Sequence, residues 1–500
     1  MINKILFEDK IVLYWDKEWG LSSDLIYRLT VNDKEYAKTP KTHFEIVDLA
    51  SDTKYLLNVE RIMPTGEEEN IYSEEVKTLV KRVRIDISKP PYNAVGDGKT
   101  LNTIAIQRAI DDCKAGQTVY VPEGVFITGA LDLHSDMELY VDKGGVLQGT
   151  SEVKDYTPKI WSRFEGEEME CYRSLLNIGT LDNKAGYTTK NVVIRGKGAI
   201  LGGGVALCNA VKDLETILLK DFLEQNKELV ATCERPDTIP KRRRGRLINI
   251  SNCQNVIIEG LEVGMGPSWN VHFIYSKDII TCGCYIHSEG VSNGDGWDPD
   301  SSEDCLCFNN DFATHDDGIA IKSGKNPEGN VIGRPTRNVR VFDCRGRNSV
   351  AIGSELSGGI ENVFVWDCDY KESNLGVNIK TTEKRGGFVK NVRVRDCKFV
   401  GIGIRTKYGC NNDGVGSGEL TKIENISFEN VYFYGRKPEH IICPPDYRCP
   451  IYFDGFDGEG NEIKGLTLKN LHIQSRPDGE NQRILIKNVK DLTIEKVDFE

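Results

Sequence analysis

No unbroken apolar run in these 500 residues approaches the roughly 18 that a membrane helix needs, so the chain reads as soluble and not membrane-spanning. Positive charge is short as well: 64 Lys and Arg face 76 Asp and Glu, a net charge of -12. That balance opposes general binding to nucleic acid or to an anionic membrane, and any acidic ligand must meet a local basic pocket. A leader is missing from MINKILFEDKIVLYWD, where Glu8, Asp9 and Lys10 interrupt before an apolar stretch of about 7 to 15 residues can form. The expected compartment is the cytoplasm. Proline is scarce, 17 residues against 49 glycines, which favours turn-rich β structure over a helical bundle. Paired CxxC motifs with zinc spacing are absent, so the 15 cysteines are expected to be reduced, mostly buried thiols with no structural metal. One dense basic run, Lys241 to Arg244 followed by Arg246, reads as a solvated loop of no functional weight.

Residues 1–82 hold short alternating segments (IVLYW, LIYRLTV, THFEIV, KYLLNVE) between polar turns, the pattern of a small β-sandwich. Trp15, Tyr27 and the stretch Leu49, Thr53, Tyr55 resemble a fibronectin type III module with its tyrosine corner, which implies a packing or spacer role without catalysis. From 83 to 500 the character changes. One amphipathic helix, with Ile104, Ile106 and Ile110, precedes many short β-branched segments. Three copies of one phrase follow, NVRVFDC, NVFVWDC and NVRVRDC at Asn338, Asn362 and Asn391, starting 24 and 29 residues apart. Repetition at that period, built from strands, predicts a parallel β-helix with Cys344, Cys368 and Cys397 stacked inside. The fold class is therefore all-β. A charged, helix-like insert at about 205–245 is expected beside a groove.

A coil stacks equivalent positions about 4.8 Å apart, so a site can be assembled from residues one period apart. NGDGWDPDSS, HDDGIAIKSG, NSVAIGSE and VNIKTTEKRGG begin such positions at Asn293, His315, Asn348 and Asn378. They bring Asp295, Asp316 and Asp317 together with Lys322 and Lys380. Converging carboxylates repel, so at least one pKa should rise into the range where it donates a proton.

Asn293-Gly294-Asp295, Asp316-Asp317, the stretch from Arg347-Asn348-Ser349, and Asn378-Ile379-Lys380 follow in the order of four motifs of glycoside hydrolase family 28, the polygalacturonase family. The chain from about 85 to 500 resembles that family, which implies a right-handed parallel β-helix and an inverting hydrolase of pectic oligosaccharides, without cofactor or metal. Carried over, Asp316 is the general acid, and Asp295 and Asp317 activate water, an arrangement that needs about 6.5 to 9.5 Å between acid and base. Lys380 receives a uronate carboxylate. Asn293, His315, Lys322, Asn348 and Asn378 are the remaining expected substrate contacts. Asn348 stands where the family has His and Asn378 where it has Arg, which points to a neutral sugar such as rhamnose on the leaving side. The insert, the segment RFEGEEMECYRSLLN, the stretch IKSGKNPEGN and the N-terminal sandwich resemble exo-acting bacterial members, while Arg163 and Arg173 are expected to be ion-pair partners before they are wall residues. Two other readings stay open: a pectic lyase using Ca²⁺, and a non-catalytic carbohydrate-binding solenoid. The sequence leaves the oligomeric state open.

Overall fold

Asparagine tolerates the left-handed backbone region because its short amide can bond locally. Asn338, Asn362, Asn391 and Asn425 each take φ of 57° and kink successive strands at one place. Their amides form a ladder along the outside of the coil: Asn362 donates to Asn338 at 3.2 Å, Asn391 to Asn362 at 3.1 Å and Asn425 to Asn391 at 3.3 Å. The repeated phrase thus encodes a bend as well as a strand.

The computed structural model describes every residue except 234, 373–374, 410–411, 436–448 and 476–483. The chain divides into two units, Met1–Arg84 and Ile85–Glu500, where the connector had suggested a boundary at 82/83. Among the described residues the larger unit winds through parallel sheets of thirteen, eleven and eight strands. It is a right-handed parallel β-helix. The repeated phrases lie in the thirteen-stranded sheet, with Val339, Val363 and Val392 in register. The buried rings of Phe308, Phe342 and Trp366 stack at 4.7 and 4.4 Å. Cys344, Cys368 and Cys397 are buried as expected, and Cys307 extends their column, its sulfur 4.0 Å from that of Cys344.

The predicted helix runs Thr103–Asp111 and buries Ile106, Ala109 and Ile110. Ile104, expected on the same face, is 87% exposed, because it precedes Ile106 by two residues and so points to the opposite side. The insert forms helices Gly204–Leu218, Lys220–Gln225, Lys227–Ala231 and Thr238–Lys241, anchored through buried Leu207, Cys208 and Val211.

The smaller unit is a two-sheet sandwich. Ile2–Leu6, Ile11–Trp15 and His43–Ile46 form one antiparallel sheet. Lys34–Thr39, Ile26–Val31, Lys54–Ile62 and Glu68–Lys77 form the other. Alternation places Ile11, Leu13, Tyr27, Leu29, Leu57 and Val59 between them, and Trp15 meets Tyr27 edge-on at 4.9 Å. The Tyr55 hydroxyl accepts the Ala50 N–H at 2.9 Å, fixing the corner anticipated from its sequence.

Candidate active site

Four consecutive strands of the eleven-stranded sheet, Trp297–Asp300, Ile319–Ile321, Val350–Ile352 and Val377–Lys380, pair through Trp297, Ile319, Val350 and Val377. The chemistry-bearing residues sit at or beside these strands. Backbone bonds hold the neighbouring coils: the Gly296 N–H donates to the Asp317 carbonyl at 3.0 Å and Asn270 to that of Asp295 at 2.9 Å. Asn293, Asp295, His315, Asp316, Asp317, Lys322 and Lys380 consequently line one cavity of about 540 Å³.

The three aspartates differ in their partners. Lys380 Nζ lies 2.6 Å from Asp317 Oδ2, and Ser349 donates to Asp317 Oδ1 at 3.1 Å. Lys322 Nζ lies 3.4 Å from Asp295, 3.5 Å from Asp298 and 3.5 Å from Glu355, and 4.6 Å over the Trp269 ring. Asp316 has no lysine or arginine partner among the described residues; its Oδ1 accepts the Asp317 N–H at 3.0 Å. It is also the exposed member of the three, Asp317 being half-buried and Asp295 buried.

Desolvation by the enclosing walls, then the Asp317 charge, raises the Asp316 carboxyl above its ordinary range, with Lys380 and Lys322 opposing. Desolvation also pushes Asp295 well up against the pull of Lys322, with Asp298, Asp316 and Asp317 adding to the rise. Asp295 and Asp316 therefore influence each other and both hold a proton more tightly than an ordinary carboxyl. For Glu355, burial is outweighed by Lys322 and Arg385, and its pKa falls to about 2.

Asp298 lies behind the cavity, wholly buried, and burial raises it to about 7. A carboxyl raised on folding stabilises the folded state at low pH and loses that contribution as pH rises from about 4, where the unfolded chain ionises, to about 7. The Asp298→Asn variant should lose this slope, so that its stability relative to the native chain is better at pH 7 than at pH 4.5. Parallel denaturant melts at the two pH values test this, and an unchanged difference would show that Asp298 does not titrate there.

Two expected contacts do not reach the cavity. Asn348, in a left-handed turn at φ 77°, donates its amide to the Thr314 carbonyl and, at 3.2 Å, to Thr314 Oγ1, tying one coil to the previous one. Asn378 is buried and its Oδ1 accepts Arg405 Nε at 3.0 Å. Both amides serve the scaffold. A guanidinium, Arg405, in register with Lys380 on the next coil, thus reaches back to the position where the motif lost its arginine and lies 4.7 Å over the ring of the cavity-lining Tyr408.

The basic run is not a solvated loop. Arg242, Arg244 and Arg246 are buried. Arg244 donates to the Pro267 and Ser292 carbonyls at 2.9 and 2.6 Å and to Asn293 Oδ1 at 2.7 Å, so it positions the first motif. Arg242 bridges Glu165 and Asp413, each at 2.7 Å. Of Arg163, Glu165 and Arg173, only Glu165 lines the cavity, and the two arginines are ion-pair partners as expected. Arg163 is buried against Asp300 at 2.9 Å, and Arg173 pairs with Asp132.

Residues that the sequence reading missed divide into two kinds. Trp269 precedes Asp295 by 26 residues and Glu355 follows Lys322 by 33, one coil in each case, so extending the period would have found them. Tyr408 and Asp413, and Lys212, Arg235, Thr238 and Lys241 of the insert, come from excursions without a repeat and leave no periodic signal.

A family model described as Glycosyl hydrolases family 28 matches residues 185–442, just over half of the chain. The chain belongs to glycosyl hydrolase family 28. Within the family it is similar to the exo-poly-alpha-D-galacturonosidase of Dickeya chrysanthemi, 30% identical over 366 residues, 70% of this chain and 60% of that one. The endo-polygalacturonase of Pectobacterium parmentieri is 28% identical over 306 residues, 58% of this chain and 67% of that protein. The chain spans about 60% of the length of the first curated relatives it matches. Among solved structures, the family 28 exopolygalacturonase of Yersinia enterocolitica superposes with a TM-score of 0.81 at 19% identity, covering 100% of this chain and 97% of that one. The exopolygalacturonase of Thermotoga maritima gives 0.66 at 24% identity, covering 82% and 91%. These two share the β-helix fold.

Proposed function

We propose that this family 28 chain is an inverting hydrolase that removes a terminal galacturonic acid from pectic oligosaccharides, oligogalacturonides before rhamnogalacturonan fragments. One observation carries the assignment of roles: two aspartates are held by lysines and the third is not. Asp317, bound by Lys380 and Ser349, is read as one base, and Asp295 beside it as its companion although burial raises its carboxyl against the pull of Lys322; the lysine-free Asp316, raised by desolvation, is read as the acid. Asp316 donates that proton to the glycosidic oxygen as the bond to the anomeric carbon breaks. Water attacks that carbon from the opposite face and yields its proton to the Asp295–Asp317 pair. Lys380, on the next coils beside Asp317, is placed to draw in a uronate carboxylate.

Exo action is supported by the walls. The helical insert supplies Lys212, Arg235, Thr238 and Lys241 to the cavity, and Arg242 ties Glu165 to Asp413 at its side. Rhamnogalacturonan loses its particular support, because the Asn378 amide is bonded to Arg405 and does not line the cavity. The N-terminal sandwich, with its Tyr55 corner, fits a fibronectin type III-like spacer.

The test is a product time course on matched oligogalacturonides and rhamnogalacturonan oligosaccharides. Galacturonate released alone, heavier by one water and without absorbance of unsaturated ends, is expected. Unsaturated product would mean a lyase, early mid-sized fragments would mean endo cleavage, and binding without turnover would mean a carbohydrate-binding solenoid.

A further inference from the structure

The cavity poses an electrostatic problem for the substrate proposed above. Six carboxylates line it, Glu165, Asp295, Asp316, Asp317, Glu355 and Asp413, against five cations, Lys212, Arg235, Lys241, Lys322 and Lys380. A uronate entering such a site is drawn most strongly by a cation not already neutralised within the protein. Four of the five cations have partners within the chain. Lys212 lies 3.1 Å from Asp237, Lys241 3.2 Å from Glu165, Lys322 3.4 Å from Asp295, and Lys380 2.6 Å from Asp317. Arg235 is the exception among the described residues, its side chain exposed at the cavity with no ion pair.

Its backbone is nonetheless held. Arg235 N–H donates to Thr238 Oγ1 at 3.3 Å and its carbonyl accepts the Thr238 N–H at 3.1 Å, with Thr238 itself buried in the cavity wall. A fixed backbone carrying a solvated guanidinium suits ligand capture, since the planar fork can take both oxygens of a carboxylate and no internal pair must break first.

We infer that Arg235, supplied by the helical insert, is a specificity-determining residue that binds a galacturonate carboxylate of the substrate and rejects its neutral counterpart. This rests on the exo-hydrolase reading. This carboxylate-binding cation, additional to Lys380, comes from outside the repeating coil, while the acid and bases come from within it.

The experiment compares the full-length chain with Arg235→Ala and Arg235→Lys on trigalacturonate and on the same trimer with its carboxyls reduced to primary alcohols. With the native protein, galacturonate release at measurable kcat establishes the underlying reading independently. For Arg235→Ala, KM on trigalacturonate should rise roughly tenfold to a hundredfold, as losing a charge-assisted hydrogen bond implies, with kcat changed by no more than about threefold. Its discrimination against the reduced trimer should shrink by the same factor. Arg235→Lys should recover part of the loss, and added salt should weaken native binding more than that of Arg235→Ala. Because the side chain is exposed, both variants should melt with the native protein. An unchanged KM in Arg235→Ala, or an equal loss on charged and reduced trimers, would overturn the inference while leaving the hydrolase reading intact.

Discussion

Asp316→Asn is expected to lower kcat by roughly a hundred- to ten-thousandfold, the range that general acid catalysis contributes, while substrate affinity stays within a few-fold. The amide is nearly the same shape and can still accept the Asp317 N–H through its carbonyl, so the turn is preserved. What disappears is a proton with a raised affinity, at the one aspartate of the three without a lysine. Without it the leaving oxygen departs as an alkoxide. Single-turnover kinetics with separately measured binding make the test clean. Activity above about a tenth of native would transfer the acid role to another group, with Asp295 the first to examine because burial raises it too. The native pH profile supplies a second check. Activity should be lost as pH rises through the raised Asp316 value and as it falls through that of Asp295, whose protonation Lys322 opposes.

Lys322→Met should give the largest loss of stability. Lys322 is buried, and Glu355, Asp295 and Asp298 together raise its affinity for a proton well above normal despite the opposing cost of burial. Methionine replaces the stem and leaves three carboxyls without their shared cation. Breaking a buried pair from one side costs about 3–5 kcal/mol, since the remaining charge stays desolvated. The sign with pH follows from Glu355. Its folded value of about 2 lies below the unfolded one, so its contribution is present above the unfolded value and lost as pH falls toward 2. The gap between native and variant should thus be wide near neutrality and narrow at low pH. Adding Glu355→Gln should return part of the stability, because it removes one uncompensated charge. The variant should also show its acidic limb of activity moved upward, since Lys322 is what opposes protonation of Asp295. Denaturant melts that coincide with native at neutral pH, or an unmoved acidic limb, would mean that Lys322 is a passive neighbour.

These two residues show where sequence reasoning worked and where it stopped. Asp316 was legible because the β-helix repeats itself: Asp295 and the pair at 316 and 317 are one coil apart, and strand pairing converts that spacing into proximity. Lys322 was legible as a neighbour of the pair but not as the hub of Asp295, Asp298 and Glu355. Asn348 and Asn378 were placed on the right coils and given the wrong direction. A motif position specifies a coil, whereas the local φ of Asn348 and the approach of Arg405 to Asn378 decide where each amide points. The basic run failed for a different reason. Arg242, Arg244 and Arg246 read as solvated because their partners, Glu165, Asp413, Asn293 and the Phe164 and Trp269 rings, lie far away in sequence.

From its sequence alone this protein was determined to be a strand-built solenoid that follows a small β-sandwich in the chain, with three aspartates and two lysines in neighbouring coils. Repetition and alternation are local patterns, and a parallel coil maps them directly onto space. The tertiary structure alone decided which aspartate is left without a cation, which amides face the cavity, and that an excursion outside the repeat delivers Arg235 to it. Those are outcomes of non-repeating contacts between distant segments, settled by burial and charge pairing, and no period in the chain encodes them.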